Sequence, residues 1–308
     1  MPKYKLIINP KAGKGLALAS VPAIEQYLND LTLDYDIVLT ERPGHAIDLA
    51  YQAVKEGYEG VVGGGGDGTA NEILNGLMKA RQEGFEHFKM GMLPVGRGND
   101  FAYSMGTPTD LKIACEILGP GQSKLIDVGL LTGGLYPEGR YFGNGVGIGF
   151  DAVVGFEAAK FRRLSGMAGY VAGALKTMFL YFKAPLLEVT FNGKSVTQPC
   201  LMVSVMNGIR MGGTFFMAPT GNPADGVFDL TLVGQVNQFQ ILMLLPRFMK
   251  GTQAGHPAVW IEQTADLTVK ALKGSIPAHA DGETMCTAGE QLSIKLLPRQ
   301  IQLICQGA

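Results

Sequence analysis

The chain is short of charge: Asp, Glu, Lys and Arg make up 17% of its 308 residues, and the net charge is -1. Ordinary soluble chains carry about 25% charged residues. No basic field is available to attract a polyanion, so nucleic acid is excluded as a partner. Cysteine is scarce too. Cys115, Cys200, Cys286 and Cys305 form no close pairs, which argues against a zinc site or disulfide framework and suits a reducing cytosol. No uninterrupted apolar run reaches the ~18 residues of a membrane-spanning helix. The nearest, residues 166–182, is broken by Lys176. The opening residues MPKYKLIINP enter an expected strand directly, without the apolar stretch of a signal peptide. An integral membrane protein is therefore disfavoured. The mean hydropathy of +0.15 leans instead towards an apolar ligand, or a cytoplasmic protein peripheral at the inner membrane face. The length suits two domains.

What is abundant is glycine, and the densest stretch is GVVGGGGDGTANEILNGL, residues 60–77. It reads as the end of a buried strand, four glycines from Gly63 to Gly66, then a helix with Ile73, Leu74 and Leu77 on one face. Glycines let an anion approach main-chain N–H groups, and the helix presents its positive dipole end, so the design is one for phosphate. No Gly-Lys-Ser/Thr follows, which excludes a Walker loop. Asp67 inside the loop is the unusual feature. A carboxylate beside a polyphosphate is repelled unless it binds a cation, accepts hydrogen bonds or handles a proton, which points to Mg²⁺ and chemistry. The alternative is a glycine turn with an Asp helix cap.

Strand, loop and helix alternate through the first eighty residues. Strands are expected at 3–8 and 34–39 and from Gly60 to Val62, and helices at 16–28 and 44–55, which implies a parallel sheet. Ligands sit beyond the carboxyl ends of such strands, where Asn9, Thr40 and Asp67 all fall. Lys11 and Lys14 either reach phosphates or are solvated turn lysines. His45 reads as a structural residue at a helix start. A fourth strand at 90–93 leads into Pro94-Val95-Gly96-Arg97-Gly98-Asn99-Asp100-Phe101, where Asn99-Asp100 also suits a helix cap. Asp127 lies in an apolar run at 123–131, as a functional carboxylate or one on the solvent side of a strand.

From Tyr141 the texture changes. Glycine alternates with apolar residues over 143–151, a helical segment covers 156–182, and strands follow at 186–191 and 196–206 around the hairpin signal Asn192-Gly193. Residues 239–250 form a helix with Arg247 and Lys250 near its end, packed on the second domain or docked on a membrane, and Pro246 should kink or end it. In Asp281-Gly282-Glu283 two carboxylates share one turn, as a general base near a phosphate requires. His279 reads as structural.

Residues 65–77, GGDGTANEILNGL, resemble the nucleotide loop of the diacylglycerol kinase catalytic-domain family, which includes bacterial lipid kinases and the sphingosine and ceramide kinases. NAD kinases and phosphofructokinases share the GGDG core, and the contiguous Asn71-Glu72 favours the lipid-kinase branch. The resemblance implies an α/β plus β fold: a Rossmann-like parallel-sheet nucleotide domain over 1–130, with 292–308 returning to it, and an antiparallel β-sandwich lipid domain over 131–291. It implies ATP and Mg²⁺ as cofactors, with the nucleotide held by Asn9, Lys11, Thr40, Gly64, Gly65, Gly66, Asp67, Gly68, Thr69 and Glu72. Arg97 stands where the family has Thr or Ser, and either takes over a phosphate contact or points away. Lys160-Phe161-Arg162-Arg163-Leu164 is similar to a run in sphingosine kinases, which makes Arg163 a phosphate contact and Arg162 the spare. By the same resemblance Asp225, with backbone oxygens at Asn222 and Val227, holds a structural Mg²⁺. Asp281 is then the base for the lipid hydroxyl, and Glu283, Asp127 and Asp67 hold metal and water. The expected partner is a lipid presented at a membrane surface; a homodimer stays open. The alternatives are an NAD kinase-like or small-molecule kinase with the same loop, and a non-catalytic lipid- or nucleotide-binding protein.

Overall fold

The computed structural model describes residues 3–160, 167–180 and 183–306. They divide into two compact units, residues up to 128 together with those from 298 onward, and residues 129–297.

The first unit runs β1 (Lys3–Ile8), α1 (Leu16–Ala19), α2 (Val21–Asp30), β2 (Asp34–Leu39), α3 (His45–Lys55), β3 (Gly60–Gly65), α4 (Asp67–Gln82), β4 (Lys89–Pro94), α5 (Asp100–Ser104) and α6 (Leu111–Glu116), and β5 (Ser123–Gly133) starts in it. Pairing is parallel throughout in the order β4-β3-β1-β2. Gly63, Gly64 and Gly65, expected in a turn, instead continue β3, paired with β1 and β4, and every residue of the strand is buried, as a central strand covered on both faces requires. Leu6, Ile8, Ile24, Leu28, Val62 and Leu93 form the core on one side. The chain moves from β1 outward to β2 and then returns to β3 on the other side of β1. That reversal is where open parallel sheets leave a crevice. The single helix expected over 16–28 is two, because the Ser20 hydroxyl bonds back to the Leu16 carbonyl at 2.8 Å and Pro22 starts a new first turn.

The second unit contains β6 (Tyr136–Phe142), β7 (Gly145–Gly149), α7 (Phe150–Lys160), α8 (Met167–Leu180), β8 (Leu186–Phe191), β9 (Lys194–Met206), β10 (Phe228–Gly234), α9 (Gln238–Lys250), β11 (Val259–Thr264), β12 (Asp266–Lys273), β13 (Ile276–Ala280), β14 (Glu283–Gly289) and the start of β15 (Gln291–Ile304). Its strands pair antiparallel in the order β14-β13-β7-β9-β8-β12-β15, with β10 and β11 continuing from β9. Phe142 and Phe228 stack at 5.6 Å in a core that also holds Phe191, Val203, Val205 and Leu230. Asn192 and Gly193 both have positive φ, 49° and 70°, the backbone of the expected tight hairpin. The segment expected to return to the first domain is a single long strand, β15. β15 pairs with β12 through residues 291–295 and, after Arg299 at φ 53°, with β4 through Gln302 and Leu303.

Pro246 neither ends nor breaks α9, which continues to Lys250. Proline removes only its own N–H, whose acceptor would be the Leu242 carbonyl, and both residues lie on the exposed side of the helix where water can solvate that oxygen. An Asn237–Gln240 capping box and the left-handed Gly251 secure the two ends. Among the described residues no helix is long and apolar enough to cross a membrane. All four cysteines are buried, and burial pushes the Cys115 thiol up to about 12 and the Cys200 thiol up to about 11. Thiols so raised are not nucleophiles at neutral pH.

Candidate functional site

At the carboxyl edge of the first unit's sheet, hydrogen bonds tie the glycine loop to its neighbours. Asn9 donates its main-chain N–H to Gly64 O at 2.9 Å and its side-chain NH₂ to Thr69 Oγ1 at 3.3 Å, while its Oδ1 accepts the Lys11 N–H at 3.1 Å. The Thr40 N–H reaches Ile8 O at 2.9 Å. The ends of β1, β2 and β3 are thus bound together, with Asn9, Thr40 and Asp67 along one edge. Gly65 has no room for a side chain, since a Cβ there would lie 2.3 Å from Thr69 Oγ1, and one on Gly96 would lie 2.3 Å from the Gly66 Cα. Two loops therefore touch backbone to backbone. The N-terminus of α4 has Gly66 at its cap position and no side-chain cap, which suits an anion. Gly68 stands in its first turn.

Asp67 begins α4 and accepts the Phe101 N–H at 2.8 Å, so its carboxylate lies at the start of α5 as well. Asn99, at φ 54°, does not cap α5. It folds back to donate to Pro94 O and Gly96 O and to accept from the Gly96 N–H. Arg97 and Lys11 are exposed. The Glu72 carboxylate is chelated by the N–H groups of Gly44 and Ala46, at 2.8 and 3.0 Å. It anchors the start of α3 to α4, so its service to a nucleotide would be to hold the Gly44-His45-Ala46 segment. His45 Nδ1 accepts the Glu41 N–H at 3.1 Å, a structural bond as expected. Asp127 is fully buried, which overturns the solvent-side alternative, and accepts the Arg299 N–H at 2.7 Å where β15 bends.

In the second unit Asp281 and Gly282, at φ 48° and 83°, are the two-residue turn between β13 and β14, and Glu283 opens β14. An Asp-Gly between two short strands carries that hairpin signal in sequence. Asp281 is 6% exposed and takes three main-chain N–H groups, from Gly143 at 2.7 Å, Asn144 at 2.9 Å and Gly145 at 3.0 Å. Such a nest of N–H groups holds an anionic oxygen in one place.

Asn222 and Asp225 lie in the turns leading into β10, and Asp229 is the second residue of that strand, close enough to Asp225 to feel its charge. The Asn222 and Asp225 side chains each accept an N–H two residues on, at Ala224 and Val227. Burial pushes the Asp229 carboxyl up, a hydrogen bond from Gln263 pulls it back, and the negative Asp225 pushes it up again. Sequence reading left Asp229 out of the metal set, although it closes the Asp-Gly-x-x-Asp pattern. Arg163 and Arg162 lie outside the described residues.

The second unit also holds a cavity of about 530 Å³, its open mouth included, lined by Phe150, Val154, Met202, Ile241, Leu244 and Phe248 among others.

The diacylglycerol kinase catalytic domain matches residues 3–131, and the YegS C-terminal NAD kinase beta sandwich-like domain matches residues 144–305. The chain belongs to this family of lipid kinases. A diacylglycerol kinase of Staphylococcus carnosus (strain TM300) is 25% identical over 91% of this chain and 88% of that one, and one of Staphylococcus aureus (strain JH9) is 26% identical over 91% and 86%. A crystal structure of a diacylglycerol kinase from Bacillus anthracis str. Sterne superposes with TM-score 0.75 at 20% identity, over 99% of this chain and 97% of that one. Yeast NADH kinase complexed with NADH shares the fold at TM-score 0.51 and 9% identity, over 99% and 83%. The family fold is a parallel-sheet N-terminal part and an antiparallel β-sandwich C-terminal part, as found here.

Proposed function

We propose that the chain transfers the γ-phosphoryl group of ATP, with Mg²⁺, to the hydroxyl of a lipid such as a diacylglycerol. The observation that carries the lipid half is the cavity, whose described walls are almost wholly apolar. NAD or a sugar would call for a polar lining. The nucleotide half is supported by the glycine cradle and the α4 N-terminus without a side-chain cap. The donor chemistry of the 221–229 segment, two carboxylates and an amide oxygen, suits a hard divalent cation.

In this reading the first unit binds and orients the nucleotide. Main-chain N–H groups at the start of α4 would hold phosphate oxygens, and Asp67 and Asp127 would hold metal and water. The lipid hydroxyl oxygen bonds to the γ-phosphorus as the bond to the β-phosphate oxygen breaks, and its proton passes to a base, for which Asp281 is the candidate, with Glu283 beside it. Bound Mg²⁺ supplies neutralisation of phosphate charge. Most of the rate then comes from alignment and electrostatics. The test is mass spectrometry of a total lipid extract after incubation with protein, ATP and Mg²⁺. A new phosphorylated lipid is expected; none, with conversion of NAD to NADP, would overturn the reading.

The cation set has its own readout. Because the Asp229 carboxyl is raised, the folded protein holds that proton more tightly than the unfolded chain, so stability falls as pH rises through the folded value and the full penalty persists above it. A bound cation offsets the penalty. Mg²⁺ should therefore raise the melting temperature at neutral pH and less in mildly acidic buffer. Asp229→Asn should melt higher than the unsubstituted protein in chelator and lose the Mg²⁺ increment. A melting temperature indifferent to Mg²⁺ would remove the site.

Peripheral membrane contact is supported by α9. Ile241, Leu244 and Phe248 are buried, whereas Phe239, Leu242 and Met243, spaced i, i+3, i+4, are 71%, 40% and 57% exposed. No acidic residue occurs between Asp229 and Glu262, and Arg247 and Lys250 stand at the exposed end. An apolar stripe with basic neighbours complements an anionic bilayer. Phe239→Asp with Met243→Asp should weaken co-sedimentation with phosphatidylglycerol vesicles by roughly tenfold or more, from two side chains worth ~1.5–3 kcal/mol each when buried. Turnover of a water-soluble short-chain substrate should be unchanged. Equal sedimentation of variant and parent would exclude α9 as the contact.

A further inference from the structure

Asn144 stands one residue ahead of β7 and is 3% exposed. Its main-chain N–H is one of the three that hold Asp281, donating to Oδ1 at 2.9 Å. Its side chain has a different partner, since Nδ2 donates to Arg210 O at 2.9 Å. The other side-chain atom, Oδ1, is buried and accepts no hydrogen bond from any described residue. An alanine would leave no such unmet acceptor, so stability alone does not account for an amide here.

Arg210 belongs to the segment between β9 and β10, and the root of that segment is bound to the same place. Asn207 and Gly208 each donate a main-chain N–H to Asn144 O, at 2.9 and 2.8 Å, and Asn207 Nδ2 reaches Gly143 O at 2.8 Å. The Asn144 side chain reaches past this root. Beyond Arg210 the chain turns through Gly212 and Gly213, at φ 64° and 72°, and Met211 and Phe215 exchange both main-chain hydrogen bonds at 2.9 Å. Phe215 and Met217 line the cavity. The Phe216 N–H donates to the carbonyl of Phe248 on α9, another cavity residue, at 2.8 Å. One short segment thus meets the cavity at one end and the Asp281 nest at the other, and the Asn144 amide joins the two.

We infer that Asn144 is a positioning residue through which an apolar chain in the cavity steadies the Asp281 carboxylate. A chain packed on Phe215 and Met217 orders residues 211–217, Asn144 Nδ2 holds Arg210 at the edge of that turn, and the Asn144 main chain supplies one of the donors that fix Oδ1. Binding energy from the part of a substrate that does not react is then spent on alignment where it does. Water cannot fill the cavity with a chain, so as a competing acceptor it meets a poorly aligned base. The inference deepens the lipid-kinase reading and rests on it only in naming Asp281 the base.

Amide hydrogen exchange in the full chain, with saturating 1-decanol and no nucleotide, reads the coupling apart from any chemistry. Decanol should slow exchange at the N–H groups of Gly143, Asn144 and Gly145 by roughly tenfold, a coupling of ordinary size. In Asn144→Ala, which keeps the main-chain N–H to Asp281, decanol should still bind and the slowing should shrink to within about twofold. Phe215→Ala breaks the chain of contacts at its cavity end and should show the same loss at saturating decanol, which guards against a folding defect in the first variant. With 1,2-dioctanoylglycerol as substrate, Asn144→Ala should lower kcat roughly tenfold or more and leave KM within about threefold, because misalignment of a base is felt in the transition state. A merely structural Asn144 would move the melting temperature and leave the exchange response to decanol as it was. No slowing in the unsubstituted protein, equal slowing in the parent and both variants, or an active Asn144→Ala enzyme with unchanged kcat would overturn the inference. Exchange coupling without phosphoryl transfer to any lipid would defeat the kinase reading and leave this one standing.

Discussion

Asp281→Ala is expected to destabilise the second unit by roughly 3–9 kcal/mol, because three buried main-chain donors lose their acceptor at ~1–3 kcal/mol each. The N–H groups of Gly143, Asn144 and Gly145 all end on this one carboxylate, and the residue is 6% exposed. Alanine also suits the left-handed φ of 48° poorly. For a domain of this size each kcal/mol lowers the melting temperature by about 2–4 °C, so a drop on the order of 10 °C or more is anticipated in a thermal melt. Asp281→Asn keeps the left-handed turn and one acceptor oxygen, and should lose less, about 2 kcal/mol. Its turnover, measured well below its own transition, reports the chemical role apart from the structural one. An alanine variant melting within about 2 °C of the parent would mean that the nest does not anchor the turn.

Asp67→Asn is expected to behave in the opposite way. Asparagine Oδ1 can still accept the Phe101 N–H that Asp67 takes at 2.8 Å, so the loop should hold and the melting temperature should barely move. What disappears is the negative charge at the start of α4, beside the glycines that precede it. If that charge holds metal or water during transfer, kcat should fall roughly 10²–10³-fold, the scale of removing one preorganised electrostatic partner. The KM for lipid should be little changed. Retention of activity within about threefold would reduce Asp67 to a helix-start residue.

The helix expected over 16–28 shows how local reading goes astray. Periodicity carried it through Ser20, but a serine bonding to the carbonyl four residues back, followed by Pro22, divides it. The Asp281 turn was readable in principle, since Asp-Gly between alternating strands is a hairpin signal, and the family likeness drew attention to its carboxylates instead.

Sequence alone determined what is local. The strand–loop–helix repeat set the parallel sheet and Asn192-Gly193 set a hairpin, because φ preferences and side-chain period act over a few residues, whereas the glycines expected to turn before Asp67 continue β3 almost to the start of α4. Tertiary structure alone decided what those carboxylates touch. Glu72 reaches Gly44 and Ala46, Asp127 reaches Arg299, Asp281 reaches residues 143–145, and Asp151 stands against His279. Each pairing joins positions 26 to 172 residues apart. No local pattern encodes such a partner, because which carboxylate meets which N–H depends on the packing of whole elements into each unit.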